Sequence, residues 1–483
     1  SSGLVMWHKA NDGINTTPGA TAQWNDVSGN NKNVVQTNTG KQPQLVTSTY
    51  TANSRDYFFN FNPFYYFDGN DFFEKSGALG DYFPDATKAG SVFGTMYNSG
   101  AGGWNTAYGW GDDDPNLAKN GDQYEFWRDN GLPLTTGNIG LNTKPAHIGS
   151  IIWKGTGEAN NGLYINFNGR MFSTPNFNIG TIADDLFRIG SEGYVDGNEY
   201  YQGGISEVFA YSRELTANER ARVNSYLAIK NGITLMNDAG TGTADYLASN
   251  STVVWSAATN TAFSSNVFGV VRDNGSSLNQ KVSKSANSGN ILTVATDGDF
   301  TSPNLDGSRT ALDDQTFFML GDNGATGTTL TDITVGSLNL KRIERAWLAQ
   351  VTNTPGSLHF SANLSAYSQP GSVYMIIADD ENFTTGLSTV VATFNATTGE
   401  WESSLNVNGL NGKYITYGIL PPTCSTGNGI APGGVSNGLS YWYRADSGTN
   451  TTTDGEDVTT WQDAWSHTTS GQLGTNANFP KYK

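Results

Sequence analysis

The chain has 483 residues, with 27 basic and 44 acidic side chains, a formal net charge of −17, 12% aromatic residues and a single cysteine. This composition excludes a disordered chain, which would be poor in aromatic residues, a nucleic-acid-binding protein, which needs a clustered basic face, and an internal disulfide. No apolar run reaches the roughly 18 residues of a membrane-spanning helix, so the sequence predicts no membrane span.

Residues 1–235 are predicted to form an all-β domain that ends with one helix. In LYINFNG (163–169) apolar and polar residues alternate before an Asn-Gly turn, and GGISEVFAYS (203–212) predicts a further strand. The segment TANERARVNSYLAIKNG (216–232) then changes to helical spacing. Thr216 and Glu219 have the spacing of a capping box and Gly232 is a stop signal, so we expect one short helix near 216–230.

Residues 236–420 are predicted to form a second β-sandwich, because short apolar runs are separated by turn residues. These runs are VVW (253–255), ILTVA (291–295), TFFMLG (316–321) and VYMII (373–377). The segment PPTCSTGNGIAPGGVSN (421–437) is rich in proline and glycine, which indicates a linker.

Residues 438–483 repeat the opening of the chain. GLSYWYRADSG (438–448) matches GLVMWHKANDG (3–13), and WQD (461–463) matches WND (24–26) after a short insertion. A repeat unit this long suggests whole domains in tandem rather than a solenoid. Since so short a segment cannot bury a core alone, we expect the sequence to belong to a longer covalent array. Donation of this segment to the sandwich of a neighbouring chain is the alternative.

A family resemblance rests on GLVMWHKANDG with QWNDVSGN, FDGNDFFE (67–74), LYINFNGR (163–170), LFRIGSE (186–192) and GGISEVFAYSRELTANERARVNSYLAIKNGITL (203–235). These segments resemble the laminin-G-like, concanavalin-A-like jelly-roll domains of secreted Bacteroidota proteins. The second block, from YLASNSTVVW to MIIADDENF, looks like the uncharacterised domain that commonly follows them. The resemblance implies an all-β fold of tandem β-sandwiches in large secreted or surface proteins, often exported by the type 9 system, which include adhesins.

Signals for catalysis are weak. The match to the G-x-S-x-G pattern, centred on Ser436, lies in the linker and not between a strand and a helix. Glu207 stands alone on its predicted strand, whereas a glycoside hydrolase needs two carboxylates. The four histidines are scattered, and His8 corresponds to Tyr443 in the second copy. We therefore predict that the protein is not an enzyme.

Acidic turns offer candidate ligands for calcium, and a solvated turn is the alternative at each of them. Asp297 and Asp299 flank a glycine, and laminin-G-like domains often carry one calcium ion, so the resemblance adds to this expectation. The segment GWGDDDPNLAKNGDQYE (109–125) places oxygen ligands at alternate positions, although it departs from an EF-hand at the sixth and twelfth positions. The candidate ligands are Asp112, Asp114 and Asn116 in that segment and Asp379, Asp380 and Glu381 after an apolar strand.

Trp104, Trp110 and Trp127 lie in Gly- and Asn-rich surroundings, where aromatic rings can stack on sugars. Trp104 and Trp110 are the candidate ligand contacts, and packing in the core is the alternative.

Together these features predict a structural and adhesive repeat unit of a long, extracellular cell-surface filament. Its expected partners are further copies of the same repeat and, as ligands, surface glycans. A carbohydrate-binding module attached to an enzyme is the alternative, which glycan binding by residues 1–235 alone would favour.

Overall fold

The structure is a computed structural model that describes residues 3–12, 14–15, 22–47, 59–75, 82–83, 89–99, 103–111, 115–128, 131–143, 145–155, 162–177, 186–193, 199–367, 371–421, 442–444, 449–462, 470–472 and 479–483. Within these residues the fold is all-β, as predicted, with antiparallel sheets arranged as sandwiches. Among the same residues, none of the helices is both long and apolar enough to cross a membrane.

The chain divides into two compact units. The first comprises Ser1–Thr326, Trp347–Ala362 and Ser404–Tyr414, and the second comprises Gly327–Ala346, Asn363–Ser403 and Ile415–Lys483. The predicted boundary after residue 235 lies inside the first unit, and the predicted domain limits stay predictions. The predicted linker, apart from residue 421, lies outside the described residues.

In the first unit, the strands up to residue 211 form two sheets that enclose a core. The strands are β1 (Leu4–Lys9), β2 (Ile14–Asn15), β3 (Ala22–Trp24), β4 (Val34–Gln36), β5 (Gln44–Val46), β6 (Phe64–Asp68), β7 (Phe73–Lys75), β8 (Gly90–Asn98), β9 (Trp104–Trp110), β10 (Asn116–Asn120), β11 (Gln123–Arg128), β12 (Gly131–Thr135), β13 (His147–Trp153), β14 (Gly162–Phe167), β15 (Arg170–Pro175), β16 (Phe187–Ile189) and β17 (Gln202–Tyr211). The described strands of the first sheet follow the order β15–β14–β13–β8–β17–β6–β5, with β1 also paired to β17, and those of the second follow β12–β11–β10–β9–β16–β7–β4–β3–β2.

Large aromatic side chains fill the space between these two sheets. Trp24, Trp110 and Trp153 are almost fully buried in one continuous hydrophobic core. The hydroxyl of Tyr108, on the second sheet, lies 3.2 Å from the carbonyl oxygen of Gly149, on the first sheet, so its polar end is satisfied. Burial of such large apolar surfaces is the main driving force for this sandwich.

The helix α1 (Ala217–Asn231) confirms the helix predicted near 216–230. The side chain of Thr216 accepts a hydrogen bond from the Glu219 backbone N–H, and the Glu219 carboxylate accepts one from the Thr216 N–H, which completes the capping box. Gly232 ends the helix in the left-handed conformation, with φ of 67°. This is the conformation that glycine adopts without strain.

The strands predicted at 163–167 and 203–212 are present as β14 and β17. Leu163 and Ile165 point into the core, as the alternation predicts. However, the polar face of β14 is buried too, because Asn166 donates a hydrogen bond to Asn224 of α1 at 2.8 Å. Thus α1 covers the outer face of the first sheet.

A buried polar network joins this sandwich to later strands of the first unit. Asn62 Nδ2 donates to the Lys230 carbonyl at 2.7 Å and to Gln280 Oε1 at 3.1 Å. Asn60 Nδ2 donates to Ser283 Oγ at 3.0 Å. Buried amides that are fully hydrogen-bonded fix one arrangement of the chain, because a shifted arrangement would leave them unpaired.

The remaining described strands begin after α1. They are β18 (Tyr246–Leu247), β19 (Val253–Trp255), β20 (Ser265–Asp273), β21 (Leu278–Gln280), β22 (Val282–Lys284), β23 (Leu292–Ala295), β24 (Thr316–Asp322), β25 (Leu330–Val335), β26 (Leu338–Thr352), β27 (Ser357–Ala362), β28 (Ser372–Ala378), β29 (Ser388–Asn395), β30 (Glu400–Asn406), β31 (Tyr414–Leu420), β32 (Thr460–Gln462) and β33 (Ser470–Gln472). The four apolar runs predicted in the second block are strands, at β19, β23, β24 and β28. In the first unit β20 pairs with β21 and β24, and β23 pairs with β22 and β27. In the second unit β25 pairs with the start of β26, and β29 lies between β28 and β30.

Candidate functional site: an indole–carboxylate cluster

The outer face of the second sheet carries polar side chains and tryptophans where β9, β10 and β11 run side by side. The strand register pairs Trp104 with Asn120, and Asn120 with Gln123. Glu125 and Trp127 follow Gln123 at two-residue steps, so all five side chains lie on the same face. We call these five residues the indole–carboxylate cluster.

Glu125 is the centre of this cluster. Its Oε2 accepts hydrogen bonds from Nε1 of Trp127 at 2.8 Å and from Nε1 of Trp104 at 3.2 Å. Its Oε1 accepts from Gln123 Nε2 at 2.6 Å and from Asn120 Nδ2 at 3.1 Å. Glu125 is only 2% exposed, and these four donors offset the desolvation of its carboxylate. Glu125 therefore fixes the orientation of both indoles.

The two indoles of the cluster pack edge to face, with ring centroids 5.7 Å apart and planes at 77°. Trp104 is 49% exposed, whereas Trp127 is half-buried. Because the Nε1 of Trp104 is already bonded, the exposed part of this ring is largely apolar carbon. A fixed and exposed indole is a suitable surface for stacking an apolar ligand face, while the amides beside it can pair with polar groups.

Trp104 and Trp110 lie at the two ends of β9 but on opposite faces of the sheet. Their positions differ by six, an even number, so regular alternation would place both on one face. The register shifts by one residue at Ala107, since Thr106 pairs with Ala118 and Tyr108 with Leu117, and such a bulge reverses the alternation. Trp110 therefore packs in the core with no exposed surface, as the core alternative predicts.

Charged and polar pairs extend the polar outer face of the second sheet beyond the cluster. Arg188 on β16 forms an ion pair with Glu74 on β7 at 3.0 Å, and its guanidinium lies over the ring of Phe72 at 4.2 Å. On β9, the hydroxyl of Thr106 donates to Glu199 Oε2 at 2.9 Å. The cluster is thus one end of a longer polar surface.

Of the first predicted calcium segment, Asp112 and Asp114 lie outside the described residues. Asn116 lies on β10, is 1% exposed, and neither polar atom of its amide has a hydrogen-bond partner among the described residues. Its Oδ1 approaches Gly109 so closely that an added Cβ there would lie 1.5 Å away. A buried amide oxygen of this kind is a suitable donor for a hard cation, and the calcium assignment stays a prediction.

The second predicted calcium segment, Asp379 to Glu381, forms a turn that uses one of its own carboxylates. Asp380 accepts hydrogen bonds from the hydroxyl and the N–H of Thr385, each at 2.7 Å, and from the N–H of Thr384 at 3.0 Å. These bonds, that of the Thr385 hydroxyl first, lower the pKa of Asp380 to about 2. Within the described parts of the chain, no group of three or more His, Cys, Asp or Glu side chains is arranged to hold a metal ion.

A guanidinium lies beside the carboxylates that flank Gly298. Arg309 is 5% exposed, and its Nη1 lies 2.6 Å from Asp297 Oδ1. Its Nη2 lies 3.7 Å from Asp299 Oδ1. Hydrogen bonds from Ser302 and from Thr301 hold the pKa of Asp299 below its usual range, against the opposing effect of burial.

Glu207, which the sequence shows without an acidic neighbour on its strand, has cationic and aromatic partners in the structure. Its Oε2 lies 2.5 Å from Lys230 Nζ, the Tyr226 hydroxyl donates to its Oε1 at 2.8 Å, and the Trp7 indole also donates to Oε1. Lys230 Nζ further contacts Asn11 Oδ1 at 3.3 Å. We call these five residues the Glu207 cluster. Sequence reasoning missed it because β1 and Asn11 are about 200 residues away from β17 and α1 in the chain.

Part of the chain is similar to an uncharacterised family. A model of a domain of unknown function (DUF8202) matches residues 219–410, which is less than half of the chain and begins inside α1. No curated protein matches the sequence.

Several solved structures are similar over parts of their length. Trypanosoma rangeli sialidase shares 13% identity over 45% of this chain and 32% of its own, with a TM-score of 0.29. Botulinum neurotoxin type C, whose cell entry is described as dependent upon interaction with two ganglioside molecules, shares 8% identity over 87% of this chain and 93% of its own, with a TM-score of 0.33. An HCR/D mutant shares 10% identity over 85% of this chain and 96% of its own, with a TM-score of 0.35. This chain spans about a third of the sialidase, and similarities this low carry no functional information.

Proposed function

We propose that this chain is a non-enzymatic, glycan-binding unit of an extracellular, cell-surface adhesive repeat protein, with the indole–carboxylate cluster as its ligand site. A pyranose ring has an apolar face of C–H groups and a polar edge of hydroxyls. The exposed carbon surface of Trp104 matches the apolar face, and the amides of Asn120 and Gln123 lie beside it, where they can pair with the hydroxyls. The observation that supports the proposal is the fixed, half-exposed indole of Trp104.

The absence of catalysis is part of the proposal. Hydrolysis of a glycoside needs one carboxyl group that gives a proton and a second that acts as base or nucleophile. In the cluster, both oxygens of Glu125 already accept hydrogen bonds from neighbouring side chains. In the adjoining part of the face, Glu74 is paired with Arg188. These carboxylates are engaged in holding the surface together.

The tandem-repeat part of the proposal is supported by contacts that the second copy reproduces. Lys9 lies over the Trp7 ring at 4.7 Å, and Arg444 lies over the Trp442 ring at 5.1 Å. Likewise, the ring at position 8 packs on Trp24 at 5.7 Å, and the ring at position 443 packs on Trp461 at 5.9 Å. In an array of such units, weak glycan contacts would add up through avidity.

The decisive experiment is glycan binding by the full chain. We expect binding to at least one neutral glycan on a broad array, because the charge of the protein opposes acidic ligands. For the glycan found, Trp104→Ala should raise the Kd about tenfold or more, which corresponds to about 1.4 kcal/mol of lost stacking. Isothermal titration calorimetry measures this change directly.

The matched control is Trp401→Ala, which removes another partly exposed indole in the second unit, where it packs on Phe394 at 5.2 Å. This variant should bind like the unmodified chain. The proposed site is wrong if Trp104→Ala binds normally, and the proposed glycan function is wrong if the unmodified chain binds nothing on the array.

A further inference from the structure

The Glu207 cluster brings together an amine, a carboxamide and a carboxylate in a buried place. Lys230 and Glu207 are 2% and 0% exposed. Lys230 Nζ contacts both Glu207 Oε2, at 2.5 Å, and Asn11 Oδ1, at 3.3 Å. The amide carbon of Asn11 is one bond beyond that oxygen, so the lysine nitrogen lies within reach of it.

We propose that Lys230 and Asn11 form an amide bond between their side chains, with Glu207 as the group that moves the proton. The reaction needs no oxidant, cofactor or second protein. Lysine is a suitable nucleophile once it has lost its proton, and holding the reacting groups in contact replaces a bimolecular encounter.

The atoms balance as follows. The Lys230 ammonium gives one proton to Glu207, and the neutral Nζ attacks Cγ of Asn11, so that an N–C bond forms and the carbonyl electrons move to Oδ1. A second Nζ proton is relayed through Glu207 to Nδ2. The electrons on Oδ1 then return to restore the C=O bond as the C–Nδ2 bond breaks, and ammonia leaves. One hydrogen stays on the new amide nitrogen. The proton that remains on Glu207 departs with ammonia as ammonium.

The surroundings of the cluster favour this reaction. Trp7 and Tyr226 enclose Glu207, with their rings 6.2 Å apart, and both donate hydrogen bonds to its carboxylate. A buried ion pair loses much of the solvation that stabilises its charges, which lowers the cost of passing a proton from amine to carboxylate. Glu207, as general acid and base, is in contact with the Lys230 nitrogen that gives up protons, and this nitrogen also contacts the side chain of Asn11.

A second lysine adds to this effect. Lys9 is 3% exposed, and its amine contacts Ser277 Oγ at 3.1 Å. Burial, and then the charge of Lys230, lower the pKa of Lys9. Two buried lysines thus face one buried glutamate, while the carboxylate of Asp12 is exposed and more strongly screened. Conversion of Lys230 to a neutral amide removes this excess of positive charge.

The second copy of the opening segment has a side chain at the position of Asn11 that could form the same bond. Aligned through Trp442 and Gly448, its residue at the position of Asn11 is Asp446. Asparagine and aspartate are the two residues whose side chains give the same amide product with lysine, by loss of ammonia or of water. This position in both copies therefore carries a suitable acyl group.

The bond would join the end of β1 to the last turn of α1, two points that are 219 residues apart in the chain. A cross-link that closes so long a loop restricts the unfolded chain strongly. It also prevents β1 from being pulled away from the sandwich while the bond is intact. Both properties suit a unit that carries load.

The test is the intact mass of the purified, folded full chain. We expect a mass lower than that of the sequence by one ammonia molecule, and a cross-linked peptide containing Asn11 and Lys230 after proteolysis and tandem mass spectrometry. A mass equal to that of the sequence would show a buried ion pair only and would overturn the proposal, whatever the variants do.

Five variants assign the roles. Lys230→Arg and Glu207→Gln should each restore the full sequence mass, whereas Lys9→Arg should keep the deficit. Asn11→Asp should give a cross-linked product identical in mass to that of the unmodified chain, because water leaves in place of ammonia. If the deficit follows Lys9 instead of Lys230, or if Asn11→Ala retains it, the assignment is wrong.

Discussion

His8 lies in the core of the first sandwich, where its ring packs edge-on against Trp24. Burial lowers the pKa of His8 to about 4, and the Asp26 carboxylate offsets this only in part. In the unfolded chain the imidazole has a pKa of 6.5. Between pH 6.5 and pH 4 the unfolded chain therefore binds a proton that the folded chain does not bind. The part of the free energy of unfolding that depends on a neutral His8 is complete above pH 6.5. It is lost as the pH falls towards 4, and the total loss is roughly 3 kcal/mol.

The measurement is urea unfolding of the unmodified chain and of His8→Phe at pH 7 and at pH 4.5. Phe keeps the ring packing and cannot take up a proton, so the pH-dependent loss should be smaller in the variant by roughly 2–3 kcal/mol. Asp71 titrates in the same window with the opposite sign, since burial raises its pKa to about 6. Because Asp71 is present in both proteins, its contribution cancels in the difference between them, and equal pH dependence would contradict the prediction.

At the scale of single residues, sequence patterns identified candidates but could not assign faces. Trp104 and Trp110 have similar neighbours in the sequence, and only the bulge at Ala107 sends one to the surface and the other to the core. A bulge has no reliable sequence signal here. Likewise, Lys230 follows a helical pattern that any solvent-exposed lysine could share, and its contact with Asn11 depends on how α1 packs on the first sheet.

Among the elements, α1 has two ends whose stabilisation can be measured separately. Thr216→Ala removes the N-terminal cap and should cost about 1 kcal/mol. At the other end, Gly232 has φ of 67°, and a Cβ there would lie 2.2 Å from the Lys284 carbonyl oxygen, a backbone atom that cannot easily move. Gly232→Ala should therefore cost more than the loss of the cap, roughly 2 kcal/mol or more in the free energy of unfolding.

Gly289→Ala is the matched control for the Gly232 prediction. Gly289 has φ of 80°, and a Cβ added there would meet no atom within 4 Å, so its substitution reports the conformational cost alone. We expect urea unfolding to give a clearly smaller loss for Gly289→Ala than for Gly232→Ala. Similar losses would show that the contact with Lys284 contributes little.

The sequence could predict those elements whose signals lie within the element or directly beside it in the chain. The helix could be located because its cap residues and stop lie next to it in the sequence, and β14 could be located from its alternation. The burial of Asn166, on the face of β14 that the alternation assigns to solvent, could not be predicted from the sequence. The residue that covers it, Asn224, belongs to a later element. Local physics fixes the type of an element, and tertiary packing decides which of its faces meets water.

At the scale of the whole molecule, composition and patterning predicted an all-β protein of sandwiches, and the structure confirms it. The compact units could not be predicted in the same way. Asn62 and Gln280 lie on either side of the predicted boundary, yet their side chains share a buried hydrogen bond. Such contacts depend on chain segments that are distant in sequence, which no local pattern reports.

The net charge of −17 is also a property of the whole chain, and it makes salt a test of calcium binding. Sodium chloride should raise the melting temperature by screening general repulsion. Calcium chloride at matched ionic strength should raise it further, because the buried Asn116 amide, with Asp112 and Asp114 near it in the sequence, provides oxygen ligands. Asp114→Asn should remove this excess. Asp380→Asn should not, because the Asp380 carboxylate is held by Thr384 and Thr385. Equal effects of both salts on the unmodified chain would contradict a specific calcium site and leave only the screening of diffuse charge.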